Sequence, residues 1–429
     1  MSIVKTLIAA GAAALLASLP GAASAEWVAS WGAAPHAPLG NGGPFGAASY
    51  ENVTITQIVR LSEGGNKVRV RFSNRYGSVP LTIGAARVYR IDDNGKEIAG
   101  SSRTLTFGGD ASAVIPRGAP FVSDPVALDV PSLSRLKIEM FLPNATGPCT
   151  CHLTGQDELD VSPPGNFVGK DFTPASKAQF RAFLSGVDVD SPKGLGTIVA
   201  YGDSITDGVG STSGKNTRWP DFLANRLQAA GKHWAVANEA ISGNRVLSPG
   251  MGESALARFD ADVLSLPNVK YIILFEGVND LGNRFGPARP APTAPAGGGG
   301  PGAGARPGGN GPAGLTLDQP QITVEEMIAG YKQIVARAHE KGIKVFASPI
   351  GPYKGASYWS EEGEAAREKI ADWMLKSGTF DGIVRIDTAF ADPADPRQMR
   401  EGYHFGDHLH GNDTSYKAVG DAIDLNLFK

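Results

Sequence analysis

Apolar and polar residues alternate along several short segments in the first half of the chain. The predicted strands are VTITQIVRL (53–61), KVRVRFSN (67–74), PLTIGAARVYR (80–90) and SRLKIEMFL (134–142). Turn-forming clusters such as EGGN and DDNG separate them, and no long stretch has the 3.6-residue period of a helix. Alternation of this kind is typical of strands with one buried face. We therefore predict a β-sandwich of jelly-roll type over residues 26–190.

The pattern changes after residue 195, where continuous apolar runs alternate with segments of helical period. The predicted strands are 197–202, 234–238, 270–277, 343–349 and 383–388, and the predicted helices are 219–231, 323–342, 360–378 and 413–425. Thr323 and Glu326 form a predicted capping box, with Gly342 as the predicted C-cap. This order predicts a parallel sheet covered by helices on both faces over residues 195–429. The segment VDVDSPKGLG (187–196) is the predicted linker.

The first 25 residues have the features of a signal peptide. Lys5 precedes an apolar stretch at 7–19, and Ala-Ser-Ala at 23–25 fits a cleavage site. We expect a mature chain that starts near Glu26 and is secreted or periplasmic. An uncleaved anchor is the alternative. No later segment has the ~20 consecutive apolar residues of a membrane helix.

A tract at 286–314 consists almost entirely of Gly, Pro and Ala. Such a composition buries too little apolar surface to offset the entropy of ordering, so we predict disorder. The tract follows a strand end next to the candidate site. A lid and a neutral insertion both remain open, and we favour the insertion.

Composition excludes several classes of partner. The net charge of −3 provides neither a basic surface for nucleic acid nor a polybasic membrane patch. There are two cysteines, Cys149 and Cys151. A bridge between them, two free thiols and weak metal capture with His152 all remain open, and we assign them no catalytic role. The fold must be stable without a disulfide framework.

Ser204 is the first candidate for chemistry. In YGDSITDG (201–208) it follows a buried strand and has glycines on both sides. A serine at this place is either a helix N-cap or a nucleophile. Since a serine hydroxyl is a poor nucleophile at neutral pH, the second interpretation requires a base.

The segment YHFGDHLH (403–410) supplies candidate bases. It holds His404, His408 and His410, and Asp407 precedes His410 by three residues. On a helical turn Asp407 and His410 would share a face, so that the carboxylate orients the imidazole as in a catalytic triad. A polar loop that caps carbonyls and a zinc site are the alternatives.

Acyl transfer also needs donors for a developing oxyanion. EAISGNR (239–245) places Gly243 in the loop after the second strand, and EGVND (276–280) places Asn279 after the third. A tight turn and an Asx-turn are their structural alternatives. All these residues fall at carboxyl ends of strands or before the last helix, positions that meet at one edge of a parallel sheet.

Four blocks in this order resemble the GDSL, or SGNH, hydrolase family. They are Gly202-Asp203-Ser204-Ile205, Gly243 in NEAISGN, Gly277-Val278-Asn279-Asp280, and D-x-x-H at 407–410. The resemblance implies a flavodoxin-like α/β/α domain with Ser204 as nucleophile, His410 as base and Asp407 as its orienter. It also implies an oxyanion hole made by the N–H groups of Ser204 and Gly243 and the amide of Asn279. The N-terminal part is similar to the β-domain of some secreted members.

The expected function is hydrolysis of carboxylic esters, with short-chain acetyl esters on carbohydrate favoured. Trp27, Trp31 and Trp359 are candidates for sugar stacking, although core packing is the preferred interpretation. The alternatives are an acyltransferase, a lipase or arylesterase, a non-catalytic glycan-binding protein, and a metallohydrolase. We expect no cofactor and no metal, a small-molecule or glycan ester as partner, no nucleic acid and no membrane segment in the mature chain. The sequence leaves the oligomeric state open.

Overall fold

The computed structural model describes residues 26–38, 48–287 and 322–429. The predicted signal peptide, and all of the predicted disordered tract except residues 286–287, lie outside the described residues. Two hydrophobic cores are formed, one by the β-rich part and one by the α/β part. Across the three described ranges, no helix is long and apolar enough to cross a membrane.

The β-rich part consists of short strands and the turns between them. In chain order the strands are β1 (Glu26–Gly32), β2 (Val53–Arg60), β3 (Gly65–Ser73), β4 (Leu81–Ile83), β5 (Ala85–Ile91), β6 (Arg103–Thr104), β7 (Ala113–Ile115), β8 (Pro120–Val122), β9 (Val126–Val130), β10 (Arg135–Leu142), β11 (Cys151–His152), β12 (Leu159–Pro164), β13 (Ser176–Ala178), β14 (Arg181–Ala182) and β15 (Leu184–Ser191). The four strands predicted at 53–61, 67–74, 80–90 and 134–142 are confirmed, with the third divided into β4 and β5.

Two antiparallel sheets share the core of this part. One has the order β1-β15-β3-β8, with β9 also on β3, and the other has the order β13-β12-β2-β10-β5-β6. Along β10, every second residue from Leu136 to Leu142 is fully buried. The predicted β-sandwich is therefore present, and its alternating residues form its core.

The predicted linker at 187–196 is wrong for its first five residues. They belong to β15, which lies between β1 and β3. Val187 and Val189 are fully buried, and the buried Asp188 pairs with the guanidinium groups of Arg69 and Arg71, each at 2.8 Å. Two aspartates in this short segment are unusual for a buried strand. The local sequence does not show the arginines that pair with Asp188, because they lie more than a hundred residues away.

The α/β part begins at β16. Its strands are β16 (Gly196–Gly202), β17 (Trp234–Asn238), β18 (Val269–Phe275), β19 (Lys344–Ala347) and β20 (Gly382–Ile383). Its α-helices are α1 (Ser204–Asp207), α2 (Trp219–Ala229), α3 (Ala255–Phe259), α4 (Val278–Phe285), α5 (Val324–His339), α6 (Glu361–Lys376), α7 (Ile386–Phe390) and α8 (Asp413–Ala422). A π-helical turn follows α3 at Asp260–Leu264, and a 3-10 turn lies at Leu425–Leu427. The four long helices predicted from the sequence are α2, α5, α6 and α8.

The strands form a parallel sheet of order β17-β16-β18-β19-β20. This is the 2-1-3-4-5 order of a flavodoxin-like fold. The helices contact one another in two groups, α2 with α7 and α8, and α3 to α6. Buried on all sides, β16 has no exposed residue, in agreement with its continuous apolar run. The predicted α/β fold is confirmed.

Two local predictions differ in outcome. The capping box of α5 is present, since Thr323 and Glu326 exchange hydrogen bonds. The C-cap is Glu340, and Gly342, predicted for that position, takes a left-handed φ of 69° two residues later. The strand predicted at 383–388 is wrong after Ile383, because α7 starts at Ile386. The neighbouring strand β19 ends before Pro349, which has no N–H to continue the ladder.

A buried threonine joins the two parts of the chain. Thr197 of β16 accepts a hydrogen bond from the Ala29 N–H of β1 and donates one to the Pro267 carbonyl, both at 2.9 Å. Its side chain is inaccessible to solvent. One hydroxyl thus satisfies a donor on one part and an acceptor on the other.

We predict that Thr197→Val destabilises the protein, whereas Thr197→Ser does not. Valine keeps the shape but leaves the buried Ala29 N–H and the partly buried Pro267 carbonyl without this partner, and the buried donor alone costs about 1–3 kcal/mol. Urea unfolding of both variants measures the difference. Equal midpoints for the two variants would contradict this assignment.

Candidate active site

Ser204 begins a helix and does not cap it. The N-cap of α1 is Asp203, whose Oδ1 accepts the N–H of Ile205 at 3.0 Å. The N-cap alternative for Ser204 is therefore wrong, and its hydroxyl is free for another partner. Two residues before Ser204 the chain requires glycine, since a Cβ at Gly202 would lie 2.2 Å from the Phe275 carbonyl oxygen.

The structure brings Ser204, His410 and Asp407 into one hydrogen-bonded line. Ser204 Oγ lies 2.8 Å from His410 Nε2, and His410 Nδ1 lies 2.5 Å from Asp407 Oδ2. Because the carboxylate accepts at Nδ1, that nitrogen carries the hydrogen and Nε2 is left to accept from the serine hydroxyl. The ring is thus in the tautomer that a general base for Ser204 needs.

Asp407 meets His410 in a bend, not in the helical turn expected from the spacing. His408 between them has a φ of 57°, and Asp407 Oδ1 accepts the N–H groups of Leu409 and His410 at 3.0 and 2.9 Å. Burial opposes the ionisation of Asp407. The hydrogen bonds from the side chain and backbone of His410 outweigh it, together with that from Leu409, and lower the pKa to about 2. Asp407 is therefore a carboxylate at neutral pH.

Gly243 lies in the loop after β17, and Asn279 is the second residue of α4, which follows β18. Gly243 occupies a tight turn closed by the Asn244 N–H to the Ile241 carbonyl, and its φ of 72° favours glycine. The turn is fixed to the end of β16, because the Ile241 N–H donates to the Gly202 carbonyl at 3.1 Å. Asn279 Nδ2 donates to the Asn244 carbonyl at 3.0 Å. Its amide has a second hydrogen for another acceptor.

Arg258, which the sequence analysis did not single out, lies beneath these loops. It is 1% exposed, and its guanidinium donates to the carbonyls of Glu239 and Gly202 and to the side chain of Asn244. The loops after β16 and β17 are thus held by one side chain. An arginine in α3 carries no sequence signal for this role, because its acceptors are carbonyls of distant residues.

Several carboxyl groups are buried below the edge of the sheet. Burial raises the pKa of Asp203 to about 7, although the Ile205 N–H and the nearby His410 oppose that shift. Burial likewise raises the pKa of Asp280 to about 7 against the Val246 N–H that it accepts at 2.9 Å. Through that hydrogen bond Asp280 fixes the chain just after the Gly243 turn.

Phe405 is an exposed aromatic side chain beside His410. Its ring stacks on that of His410, with centroids 5.8 Å apart and planes 15° apart, and it is 55% exposed. The tryptophans named from the sequence have other surroundings: Trp31 is buried in the sandwich, the Arg69 guanidinium lies over Trp27, and Trp359 packs against the α/β core. Phe405 was missed because nothing in its local sequence shows which ring it covers.

The other histidines of the cluster serve the loop. His404 Nδ1 accepts the N–H groups of Gly406 and His408, and the rings of His404 and His408 lie 4.2 Å apart. Within the described ranges, no three His, Cys, Asp or Glu side chains are grouped as a metal site. Cys149 and Cys151 form a disulfide, which resolves the alternatives left open for them.

Comparison with known proteins identifies a family match. A model of the GDSL-like lipase/acylhydrolase family matches residues 200–418, just over half of the chain, and this range contains every predicted site residue. Among curated proteins, none matches this sequence.

Solved structures include similar chains. One is a lipolytic protein of the G-D-S-L family from Desulfitobacterium hafniense, with 18% identity over 53% of this chain and 96% of its own, at a TM-score of 0.36. Another is an acetyl xylan esterase from Geobacillus stearothermophilus, with 15% identity over 53% of this chain and 91% of its own, at 0.37. A GDSL-like lipase from Bacteroides thetaiotaomicron has 16% identity over 54% and 87%, at 0.35.

Asp280 should make folding stability depend on pH. Its pKa is raised from 3.8 to about 7 in the folded chain, so between these values the folded state keeps a proton that the unfolded state has released. Stability is therefore lost as pH rises from 4 to 7, by on the order of 4 kcal/mol. Asp280→Asn removes this component, so the variant should gain stability relative to the parent protein over that range.

Thermal unfolding at pH 4, 5, 6 and 7 checks this prediction. Asp93→Asn, at an exposed position, is the matched control and should follow the parent curve. Parallel curves for Asp280→Asn and the parent would show that Asp280 does not titrate as stated.

Proposed function

This chain belongs to the GDSL-like lipase/acylhydrolase family, and from that premise we propose that it hydrolyses carboxylic esters through Ser204, His410 and Asp407. The observation that carries the proposal is the line of hydrogen bonds from Ser204 Oγ to His410 Nε2 and from His410 Nδ1 to Asp407. A nucleophile, a base and a group that orients the base are the three elements of a catalytic triad, and Ser204, His410 and Asp407 correspond to them in that order.

The first half of the reaction forms an acyl-enzyme. Ser204 Oγ attacks the ester carbonyl carbon while His410 Nε2 takes the hydroxyl proton. The resulting imidazolium gives this proton to the leaving alcohol oxygen as the carbon–oxygen bond of the ester breaks. Asp407 stays ionised throughout and stabilises the imidazolium, in agreement with its low pKa.

The second half releases the acid. Water attacks the acyl carbon while His410 Nε2 takes one of its protons, and that proton returns to Ser204 Oγ as the acyl bond breaks. In both halves the carbonyl oxygen becomes negative. The N–H groups of Ser204 and Gly243 and the amide of Asn279 are the proposed donors to it, each contributing about 3 kcal/mol.

We propose short-chain, chiefly acetyl, esters on carbohydrate as the substrates. Exposed large apolar side chains of the described residues are Val79, Val114, Val122, Leu195, Leu375 and Phe405. Of these, Phe405 is the one that contacts the triad, and it offers a single ring for the apolar face of a sugar. A lipid surface is instead bound through a contiguous apolar patch.

Export, proposed from residues 1–25, would bring the enzyme to such glycans, and N-terminal sequencing of exported protein should start near Glu26.

Ser204→Ala should abolish esterase activity. Loss of the nucleophile is expected to lower kcat with a short-chain aryl ester by about 10³-fold or more, without a change in fold. Ser265→Ala is the matched control, because it removes an exposed serine hydroxyl whose hydrogen bond goes to the Ala261 carbonyl and to no residue of the candidate site. If Ser204→Ala turned over the ester at the parental rate with an unchanged circular dichroism spectrum, the mechanism would be wrong.

A panel of esters tests the substrate. Acetate release from acetylated glycans is measured beside aryl esters of increasing acyl length. We expect acetate release from at least one glycan and a kcat/KM that falls as the acyl chain lengthens. Highest kcat/KM for long-chain esters, with no acetate released from any glycan, would instead favour a lipase.

A further inference from the structure

Asp207 is a buried carboxylate that the triad does not use. It is the last residue of α1, three positions after Ser204, and is 1% exposed. Both of its oxygens are occupied: Oδ1 lies 3.0 Å from His152 Nε2, and Oδ2 accepts the Ser242 hydroxyl at 2.8 Å. Burial opposes its ionisation, but the charge and hydrogen bond of His152 and the hydrogen bond of Ser242 outweigh it and lower the pKa.

His152 comes from the β-sandwich, on the two-residue strand β11, and is 4% exposed. Its Nδ1 lies 2.9 Å from the Ala34 carbonyl, and its Nε2 faces Asp207 and, at 3.3 Å, the Thr154 carbonyl. Oxygen acceptors therefore face both ring nitrogens. His152 thus links a backbone carbonyl of the sandwich to Asp207 of the α/β part through one buried ring.

The strand that carries His152 is held in place on several sides. It pairs with β14, and its first residue, Cys151, forms the disulfide with Cys149. The N–H of His36 also donates to the Cys151 carbonyl. A side chain on a strand fixed in this way offers a preorganised donor to Asp207.

Ser242 transmits the contact to the predicted oxyanion turn. It directly precedes Gly243, and since its own hydrogen goes to Asp207, it accepts that of Thr154, 2.5 Å away. A second contact comes through Met251, whose side chain packs on Gly243 and whose carbonyl accepts His36 Nδ1 at 3.2 Å. Residues of the sandwich thus hold the Gly243 turn at two points.

We infer that His152 is a positioning residue for ester hydrolysis: through Asp207 it holds Ser242, and with it the Gly243 N–H, in the orientation that binds the oxyanion. The inference rests on the proposed function. His152 also occupies the Asp207 oxygen that Ser242 does not use, so both oxygens of a carboxyl group one hydrogen bond away from that turn are held in place. The β-sandwich thereby completes the active site of the α/β part.

Steady-state kinetics of His152→Gln and Ser242→Ala test this inference with a short-chain aryl ester. We expect kcat to fall by about 10- to 100-fold with KM within twofold, as for a misaligned oxyanion donor. The affinity for a trifluoromethyl ketone, which forms a tetrahedral adduct, should fall by the same factor as kcat/KM. A role in stability alone would not produce that correlation.

Asn225→Ala is the matched control, because it removes another hydrogen bond between the two parts, from Arg60 to Asn225 at 2.7 Å. It should leave kcat unchanged. If His152→Gln and Ser242→Ala also kept kcat/KM within twofold, with melting temperatures lowered as in Asn225→Ala, the pair would be an interface contact only and the inference would be overturned.

Two further variants keep the outcome interpretable. If His152→Gln fails to fold, Thr154→Val removes only the partly buried hydroxyl that donates to Ser242, and a fall in kcat there supports the inference while an unchanged kcat overturns it. Ser204→Ala separates the two proposals. Activity retained in Ser204→Ala contradicts the proposed function itself, whereas an inactive Ser204→Ala beside a fully active His152→Gln contradicts the positioning role alone.

Discussion

The buried guanidinium of Arg258 is the interaction on which the rest of the site depends. Arg258 is 1% exposed and lies beneath the loops that leave the carboxyl ends of β16 and β17. Arg258 donates to the Gly202 and Glu239 carbonyls and to the Asn244 side chain, and its charge faces Asp262 and the ring of Tyr201. One planar group with five donors therefore fixes the loops that carry Ser204 and Gly243.

Environment gives the two aspartates near His410 opposite properties. Asp203 is fully enclosed, and burial raises its pKa even though it accepts the Ile205 N–H as the N-cap of α1. Asp407 is partly exposed and accepts three hydrogen bonds from the 409–410 segment, which keep it ionised. The pair follows the general rule that roles of carboxyl groups are assigned by burial and hydrogen bonding, and not by residue type.

The two parts of the chain share polar contacts that neither could satisfy alone. Thr197 pairs backbone groups of both parts, and His152 of the sandwich pairs with Asp207 beside the predicted nucleophile. Buried groups of this kind are costly when unpaired, so the sandwich and the α/β part stabilise each other. The segment PCTCHLT, for which the sequence left a bridge, free thiols and a metal site open, holds the Cys149–Cys151 disulfide and the strand β11 that presents His152 to the other part.

Local pattern determined the layers of this protein and identified the residues of the proposed triad. Alternation over β10, the apolar run of β16 and the caps of α5 depend on neighbours a few positions away, so they were readable from the sequence, as were the short blocks around Ser204, Gly243, Asn279 and His410. Only the tertiary structure showed that residues 187–191 form a central strand, that Asp407 and His410 meet in a bend, and that Arg258, Phe405 and His152 surround the site. Each of these depends on partners remote in the chain: Ser204 and His410 alone are 206 positions apart. The physical reason is that a buried charge or a stacked ring is stabilised by whichever group the fold brings next to it, and no short window of sequence contains that group.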